Sequence, residues 1–202
     1  MKSISLDFYL NEDVIFLAKN LLGKFLFTKK NNKITGGMIV ETEAYRGIND
    51  KASHAYNNRR TRRNEVMYAL GGVAYVYICY GIHNMFNVVT NVKDAPDAIL
   101  IRALIPTHGI REMKKRLNIT NLLSLNGPGL LTKALGITMN DNKKTLNSSS
   151  LWLEDRGIML KSKNIITGPR IGVEYANEDA LLPWRFRISC EIYSSLSISK
   201  KR

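Results

Sequence analysis

Glu41 and Glu43 stand two residues apart in Val40-Glu41-Thr42-Glu43-Ala44-Tyr45, and Tyr45 follows at the same interval. In an extended chain this spacing sends Ile39, Glu41, Glu43 and Tyr45 to one face and Val40, Thr42 and Ala44 to the other. A plain core has little use for two carboxylates and a phenol, so that face is expected to line a cleft. A carboxylate held beside rings can act as a base that activates water. A surface salt bridge is the alternative for Glu43, and Glu41 is its internal competitor. Arg102 is the lone charge in Ile99-Leu100-Ile101-Arg102-Ala103-Leu104-Ile105. A buried arginine needs a partner, and Glu43 and Glu41 are the candidates. Such a partner would lower the carboxyl pKa and keep it ionised at neutral pH. A purely structural ion pair accounts for the same residues.

Flat rings accompany these charges. Tyr75-Val76-Tyr77-Ile78-Cys79-Tyr80-Gly81 puts three tyrosines on a β-prone run that ends in a turn glycine. Tyr45, Tyr77 and His54 offer surfaces for sandwiching a heterocycle, worth roughly 1–3 kcal/mol per stacked base; ordinary half-buried packing is the other reading. Tyr80, held at a hairpin tip by Gly81, suits a wedge pushed between base pairs. Arg59, Arg60, Arg62 and Arg63, with Arg111, Lys114, Lys115 and Arg116, are candidate phosphate contacts. About six such contacts would make binding fall steeply with salt.

The elements that must position these groups follow from periodicity and turn chemistry. Asn11 can cap a helix to about Leu22, with Gly23 as its stop. Lys24–Lys30 and Ile34–Tyr45 flank Asn31-Asn32 as a hairpin. A long polar loop covers 46–63, and Thr61 is placed to cap a short helix over 64–70. Strands are expected at Val73–Tyr80, His83–Val92 and Ala98–Ile105, a basic helix from Thr107 to about Leu117, and a short helix over Gly129–Leu135. Asn140–Ser150 reads as a polar surface loop. Ile158–Ser162, Pro169–Tyr175 and Trp184–Ile192 are later strand candidates, and 197–202 is a short basic tail. Strands and helices do not alternate as βαβ units. The expected class is therefore α+β: a single compact domain on an antiparallel sheet spanning residues 1–202.

Composition narrows the partners. Thirty Lys+Arg against seventeen Asp+Glu give a net charge of +13, which implies an anionic partner and salt-sensitive association. Cys79 and Cys190 are too few and too far apart for a zinc site or a disulfide framework, and with only His54, His83 and His108 no metal or other cofactor is expected. No signal peptide and no membrane-spanning run is read from the sequence. The expectation is a cytoplasmic, chromosome-associated monomer.

Taken together, these residues resemble the alkyladenine (3-methyladenine) DNA glycosylase family, the fold type distinct from helix-hairpin-helix glycosylases. The resemblance is carried by Val40–Tyr45 with His54, Arg63-Asn64, Tyr75–Gly81 with Asn87, Leu100–Leu104, Gly127-Pro128-Gly129 and Arg170-Ile171-Gly172-Val173. These six blocks run in the family's order over about Leu21 to Arg187. The resemblance implies a curved antiparallel sheet with surrounding helices, and a monofunctional enzyme that flips alkylated or deaminated purines out of duplex DNA. Glu43 would be the general base, with Arg102 and the Val173 carbonyl helping to hold the attacking water. Tyr45 and His54 would stack on one side of the extruded base and Tyr77 on the other. Asn87 would sit on the pocket floor, excluding the exocyclic amino group of guanine, and Tyr80 would fill the vacated stack. Arg170 joins Arg59, Arg60, Arg62 and Arg63 as an implied DNA-backbone contact. Leu130 stands where relatives often carry a lysine, Ile82 and His83 flank the wedge, and 140–150 aligns with no motif.

An N-glycosidic bond breaks through an oxocarbenium-like sugar, so an anionic, water-positioning face is needed below it. An N3- or N7-alkylated purine already carries positive charge and leaves readily, and cation–π attraction between tyrosines would help to hold it. A neutral lesion such as hypoxanthine must first gain a proton. No lysine stands at a site position, so the expected products are free base and an intact abasic strand. Two other readings are open: a basic nucleic-acid-binding module without catalysis, and an inactive or tRNA-binding relative like the C-terminal domains of formyltransferases.

Overall fold

The computed structural model describes residues 2–189; the basic tail at 197–202 and Cys190 lie outside the described residues. The strands are β1 (Lys2–Ser3), β2 (Phe25–Lys30), β3 (Lys33–Tyr45), β4 (Ala74–Cys79), β5 (His83–Thr90), β6 (Asp97–His108), β7 (Leu125–Asn126), β8 (Leu151–Asp155), β9 (Ile165–Gly168) and β10 (Arg185–Ile188). The helices are α1 (Leu6–Tyr9), α2 (Val14–Leu21), α3 (Ile110–Leu117) and α4 (Pro128–Leu135). The fold is α+β, as the sequence implies. One curled sheet runs in the order β1-β8-β2-β3-β6-β5-β4, with every pairing antiparallel.

β3 is the strand on which the sheet divides. Its first half pairs with β2 (Phe25↔Met38 through Lys30↔Lys33), its second half with β10 (Arg185↔Glu43 through Arg187↔Glu41), and its other edge with β6 throughout. The β2–β3 hairpin turns on Asn31 and Asn32, both at positive φ (49° and 60°), a conformation asparagine tolerates better than other side chains. Gly36 and Gly37 allow the strands to close up: a Cβ on Gly36 would come within 2.2 Å of the Phe27 ring, and one on Gly37 within 2.4 Å of the Ile105 carbonyl oxygen.

Helices cover both faces of β3. α2 is capped by Asp13, whose side chain accepts from the Ile15 and Phe16 N–H groups at 2.9 and 3.0 Å; Asn11, two residues too early, instead accepts from Asp13 N–H. Val14, Leu17, Ala18 and Leu21 bury its inner stripe, and the Thr42 hydroxyl donates to the Ala18 carbonyl at 2.8 Å. α4 packs over β5, β6 and β3 on the other side, with Leu131, Ala134 and Leu135 in the main core. At roughly 1.5–3 kcal/mol for each large apolar side chain buried, these two stripes hold the helices to the sheet.

Several elements differ from their expected form. Thr61 does not cap a helix; the Asn64 carboxamide oxygen accepts from the Thr61 N–H and hydroxyl, and only a 3-10 turn follows at Glu65–Tyr68. β6 extends through His108, so α3 starts at Ile110 behind Gly109, which is left-handed at φ 66°. Leu151–Asp155 is a strand, pairing β2 and β1. Ile158–Ser162 is not: Gly157, at φ 75°, turns the chain away, and Ile158 and Leu160 pack on the core without a ladder partner. Pro169–Tyr175 is an irregular segment after β9, broken by left-handed Gly172 (φ 76°) and entering a 3-10 helix at Glu174.

Candidate active site

Past the end of α4 the Glu41–Tyr45 face of β3 opens into a cavity of about 390 Å3, lined by residues from β3, β4, β5, β6, the 46–63 loop, the N-terminus of α4 and the 171–175 segment. Tyr45, His54, Tyr77, Asn87, Arg102 and Val173 all line it, and Tyr80 stands at its edge. Residues spread over 130 positions of sequence are thus brought together by the sheet.

Glu43 lies directly beneath this cavity rather than on its surface. Its side chain is fully buried, and three cavity-lining residues donate to it. The Ile171 N–H reaches Oε1 at 2.8 Å, while the Tyr45 hydroxyl and Arg102 Nη1 reach Oε2 at 3.0 and 3.2 Å. Three donors and no acceptor suit an ionised carboxylate. Burial nevertheless pushes the Glu43 carboxyl above the ordinary glutamate range, outweighing the lowering by Arg102, the Ile171 N–H and Tyr45. The expected net lowering by arginine is thereby reversed.

Arg102 meets both glutamates. Its Nε donates to Glu41 Oε1 at 3.2 Å, and Arg185 Nη1 approaches the same oxygen at 3.5 Å. Glu41 is therefore an ion-pair anchor shared by two arginines, and Glu43 is the carboxylate under the cavity. Val173 is buried, and its carbonyl accepts from the Ala176 N–H at 2.9 Å, leaving one lone pair of that oxygen unused.

The rings are grouped differently from the implied sandwich. His54 and Tyr77 are in edge-to-face contact, with centroids 4.6 Å apart and planes at 71°, so no heterocycle fits between them. These two rings form one wall together with Tyr75, whose hydroxyl lies 2.7 Å from His54 Nδ1. Tyr45 makes no ring contact with them and supplies a separate wall. Burial, with help from Arg63 and Arg59, lowers the His54 pKa to about 4, which keeps the imidazole neutral at neutral pH. Asn87 is buried opposite Tyr75 in the ladder, and its Nδ2 donates to the Tyr75 carbonyl at 3.2 Å. That carbonyl can only accept, which fixes the amide orientation.

Tyr80 is 87% exposed at the β4–β5 tip, and it and Gly81 are both left-handed (φ 49° and 73°). An aromatic residue in that region is strained by roughly 1 kcal/mol, and such strain concentrates where function needs a side chain aimed. Ile82, 74% exposed, shares the tip.

The arginines divide. Arg59 and Arg62 are exposed, and their side chains make no hydrogen bond or ion pair among the described residues. Arg60 is committed to Glu65 and Asp94 and lies over the Tyr68 ring. Arg63 donates to the Ile78 carbonyl and lies over Tyr77 in the cavity wall. Arg170 cannot be a phosphate contact: its side chain is fully buried, ion-paired with equally buried Asp50, hydrogen-bonded to the Ala44 and Asp179 carbonyls, and held between the Tyr45 and Trp184 rings. On α3, Arg116 bonds the Ala134 carbonyl at the end of α4 remote from the cavity, so Arg111, Lys114 and Lys115 stand away from the site. Leu130, 41% exposed, offers no charge on α4.

Sequence reasoning missed Ile171, Asp50 and Tyr75. A backbone N–H donor has no sequence signature, and nothing sets Asp50 apart from other loop acids. Tyr75 was legible, being two residues before Tyr77 and hence on the same face of β4.

Comparison with known proteins agrees with this geometry. The family described as methylpurine-DNA glycosylase matches residues 7–191. A Chlamydia felis protein named "Putative 3-methyladenine DNA glycosylase" is 48% identical over 186 residues, covering 91% of this chain and 94% of that one. Proteins of the same name from Bacillus licheniformis and Desulfitobacterium hafniense are 44% and 42% identical, covering 95% and 97% of this chain and 96% and 100% of theirs.

Proposed function

Because this chain belongs to the methylpurine-DNA glycosylase family, hydrolases that act on N-glycosyl bonds of DNA, we propose that it extrudes a damaged purine nucleotide from duplex DNA into the aromatic cavity and cleaves it with water activated by Glu43. Extrusion is required because the target atom is unreachable inside the stack, and it costs a few kcal/mol. Tyr80 would occupy the vacated position. The base would enter between Tyr45 and the His54–Tyr77 wall, with Asn87 against its edge. Arg59 and Arg62 would hold phosphates.

The observation that carries this reading is the buried Glu43 carboxylate meeting three donors from residues that line an aromatic cavity. In the free protein these donors cover it. Release of the single Ile171 bond frees Oε1 for a water that Arg102 and the Val173 carbonyl can hold, a rearrangement of the kind that catalytic hydrogen bonds undergo when substrate enters. No helix of the described residues is long and apolar enough to cross a membrane, and DNA is the partner this site and the net charge of +13 suit. The enzyme would work as a monomer.

Incubation with methylated duplex DNA, followed by mass identification of liberated bases, tests the activity. Glu43→Gln is expected to bind lesion duplex within a few-fold of wild type while single-turnover release falls about 10²- to 10⁴-fold, the usual contribution of a general base. Release by the variant at the wild-type rate removes Glu43 from the mechanism; no base from the wild type removes the glycosylase reading.

A further inference from the structure

Both tyrosine walls of the cavity carry a guanidinium, and the two are not equivalent. Arg170 lies 4.8 Å from the Tyr45 ring centroid, but Asp50 neutralises it. Arg63 lies 5.3 Å from the Tyr77 centroid, donates to the neutral Ile78 carbonyl at 3.1 Å, and joins no ion pair among the described residues. It also stands beside the Tyr75 hydroxyl and near His54, on both of which its charge acts. A positive charge with no acidic partner among the described residues, on a side chain still open to solvent, thus stands on the wall against which a flipped base would stack. A ring face that already engages one cation has less to offer a second, and the two cations repel each other. A neutral purine meets no such opposition, and its carbonyl edge finds a favourable potential.

We infer that Arg63 is a specificity-determining residue that disfavours positively charged leaving bases relative to neutral ones, rather than a contact to the DNA backbone. The inference rests on the glycosylase reading and reverses the simple expectation that tyrosine walls favour cationic lesions.

The test compares single-turnover release of 7-methylguanine, cationic while in DNA, with release of hypoxanthine, neutral, from otherwise identical duplexes at saturating protein. Arg63→Gln is expected to raise the ratio of cationic to neutral release by about three- to tenfold, the range for a partly solvated cation–π contact. Arg63→Lys, which keeps the charge, should stay near the wild-type ratio. An unchanged ratio in Arg63→Gln, with both rates falling together, overturns the inference while leaving the glycosylase reading intact. So does a slope of log binding constant against log salt that is shallower by about one, the mark of a lost phosphate contact. A wild type that releases 7-methylguanine but no hypoxanthine counts equally against it. Release of neither base takes down the glycosylase reading itself.

Discussion

Replacing Arg170 by methionine separates a phosphate contact from a buried strut, because the two roles predict opposite results in two assays. The substitution keeps an unbranched apolar stem of lesser length and removes the guanidinium, and with it the charge, the donors and the contact with the Tyr45 and Trp184 rings. What remains is Asp50, fully buried, with only the Arg46 and Ala52 N–H groups, among the described residues, at 3.1 and 2.9 Å to satisfy its carboxylate. Breaking a buried pair from one side costs about 3–5 kcal/mol. For a chain of this length each kcal/mol moves Tm by roughly 2–4 °C, so a fall of about 6–20 °C is expected in thermal denaturation. Asp50→Asn added to Arg170→Met removes the orphaned charge and should recover part of that loss, which a double-mutant cycle measures. Where the variant is still folded, base release should drop as well, since Arg170 packs on Tyr45 and anchors the cavity-lining Ile171–Val173 segment that follows it. DNA binding should keep its salt dependence. An unchanged Tm together with a salt slope smaller by about one would refute this reasoning and return Arg170 to the DNA backbone.

Three further outcomes follow from the site and its surroundings. Tyr80→Gly should stabilise the fold by up to about 1 kcal/mol, because it relieves the left-handed backbone at a residue that is mostly exposed, while weakening discrimination between lesion and undamaged duplex more than it slows release from single strands; urea melts and paired release assays check both halves. Burial raises the Asp97 pKa to about 6. An acid raised in the folded state destabilises it as pH climbs from about 4 through 6, so Asp97→Asn should add up to about 3 kcal/mol at pH 8 and nothing below pH 4, as urea melts across pH would record; a gain that is the same at every pH would dismiss the effect. On the proposed mechanism Glu43 acts ionised, and burial raises its pKa, so release of a cationic base should increase with pH through a midpoint above the ordinary glutamate range. Arg102→Gln should move that midpoint higher still, and a midpoint insensitive to Arg102 would disconnect the two residues.

How far the sequence disclosed this arrangement depends on the kind of signal each part leaves. Alternation marked β3 to β6 within a few residues, and Asn31-Asn32 and Tyr80-Gly81 marked their turns, because side-chain periodicity and positive φ are local properties. The carboxylate face of β3 and its arginine partner were legible for the same reason. Leu151–Asp155 was missed as a strand because its pairing with β2 and β1 is set by tertiary packing, and Asp155-Arg156-Gly157 reads as turn. The 169–175 segment has strand-like composition and yet forms none: Pro169 cannot donate to a ladder, and the side chain of Arg170 is pulled inward by Asp50, 120 residues earlier. Such a pair is invisible until the chain is folded. The grouping of His54 with Tyr77 was equally hidden, since it depends on how the 46–63 loop lies against β4.

The meeting of Arg102 with both glutamates comes from two irregularities that cancel. Ile39 pairs with Leu104, then Glu41 with Ala103, then Thr42 with Ile101. Val40 on β3 and Arg102 on β6 are thereby each left out of the ladder. One bulge alone would slip every later pair by a residue and turn the Glu43 face of β3 against the wrong partners. Two of opposite sense restore the register, so Glu43↔Leu100 and Tyr45↔Ala98 pair as though nothing had intervened. What the pair of bulges achieves is to release the Arg102 backbone. Its carbonyl accepts the Gly127 N–H at 3.0 Å, fixing the residue before α4, whose Pro128 lines the cavity. The side chain meanwhile reaches Glu41 and Glu43. One residue thus sets the carboxylates and the cavity rim at once, and Arg170-Ile171 does the same from the far side, its first side chain locked to Asp50 and its second N–H to Glu43. The Glu43 carboxylate is therefore held from two directions by segments that are themselves anchored in ion pairs, one partly and one fully buried, on the face of β3 opposite the one that α2 covers.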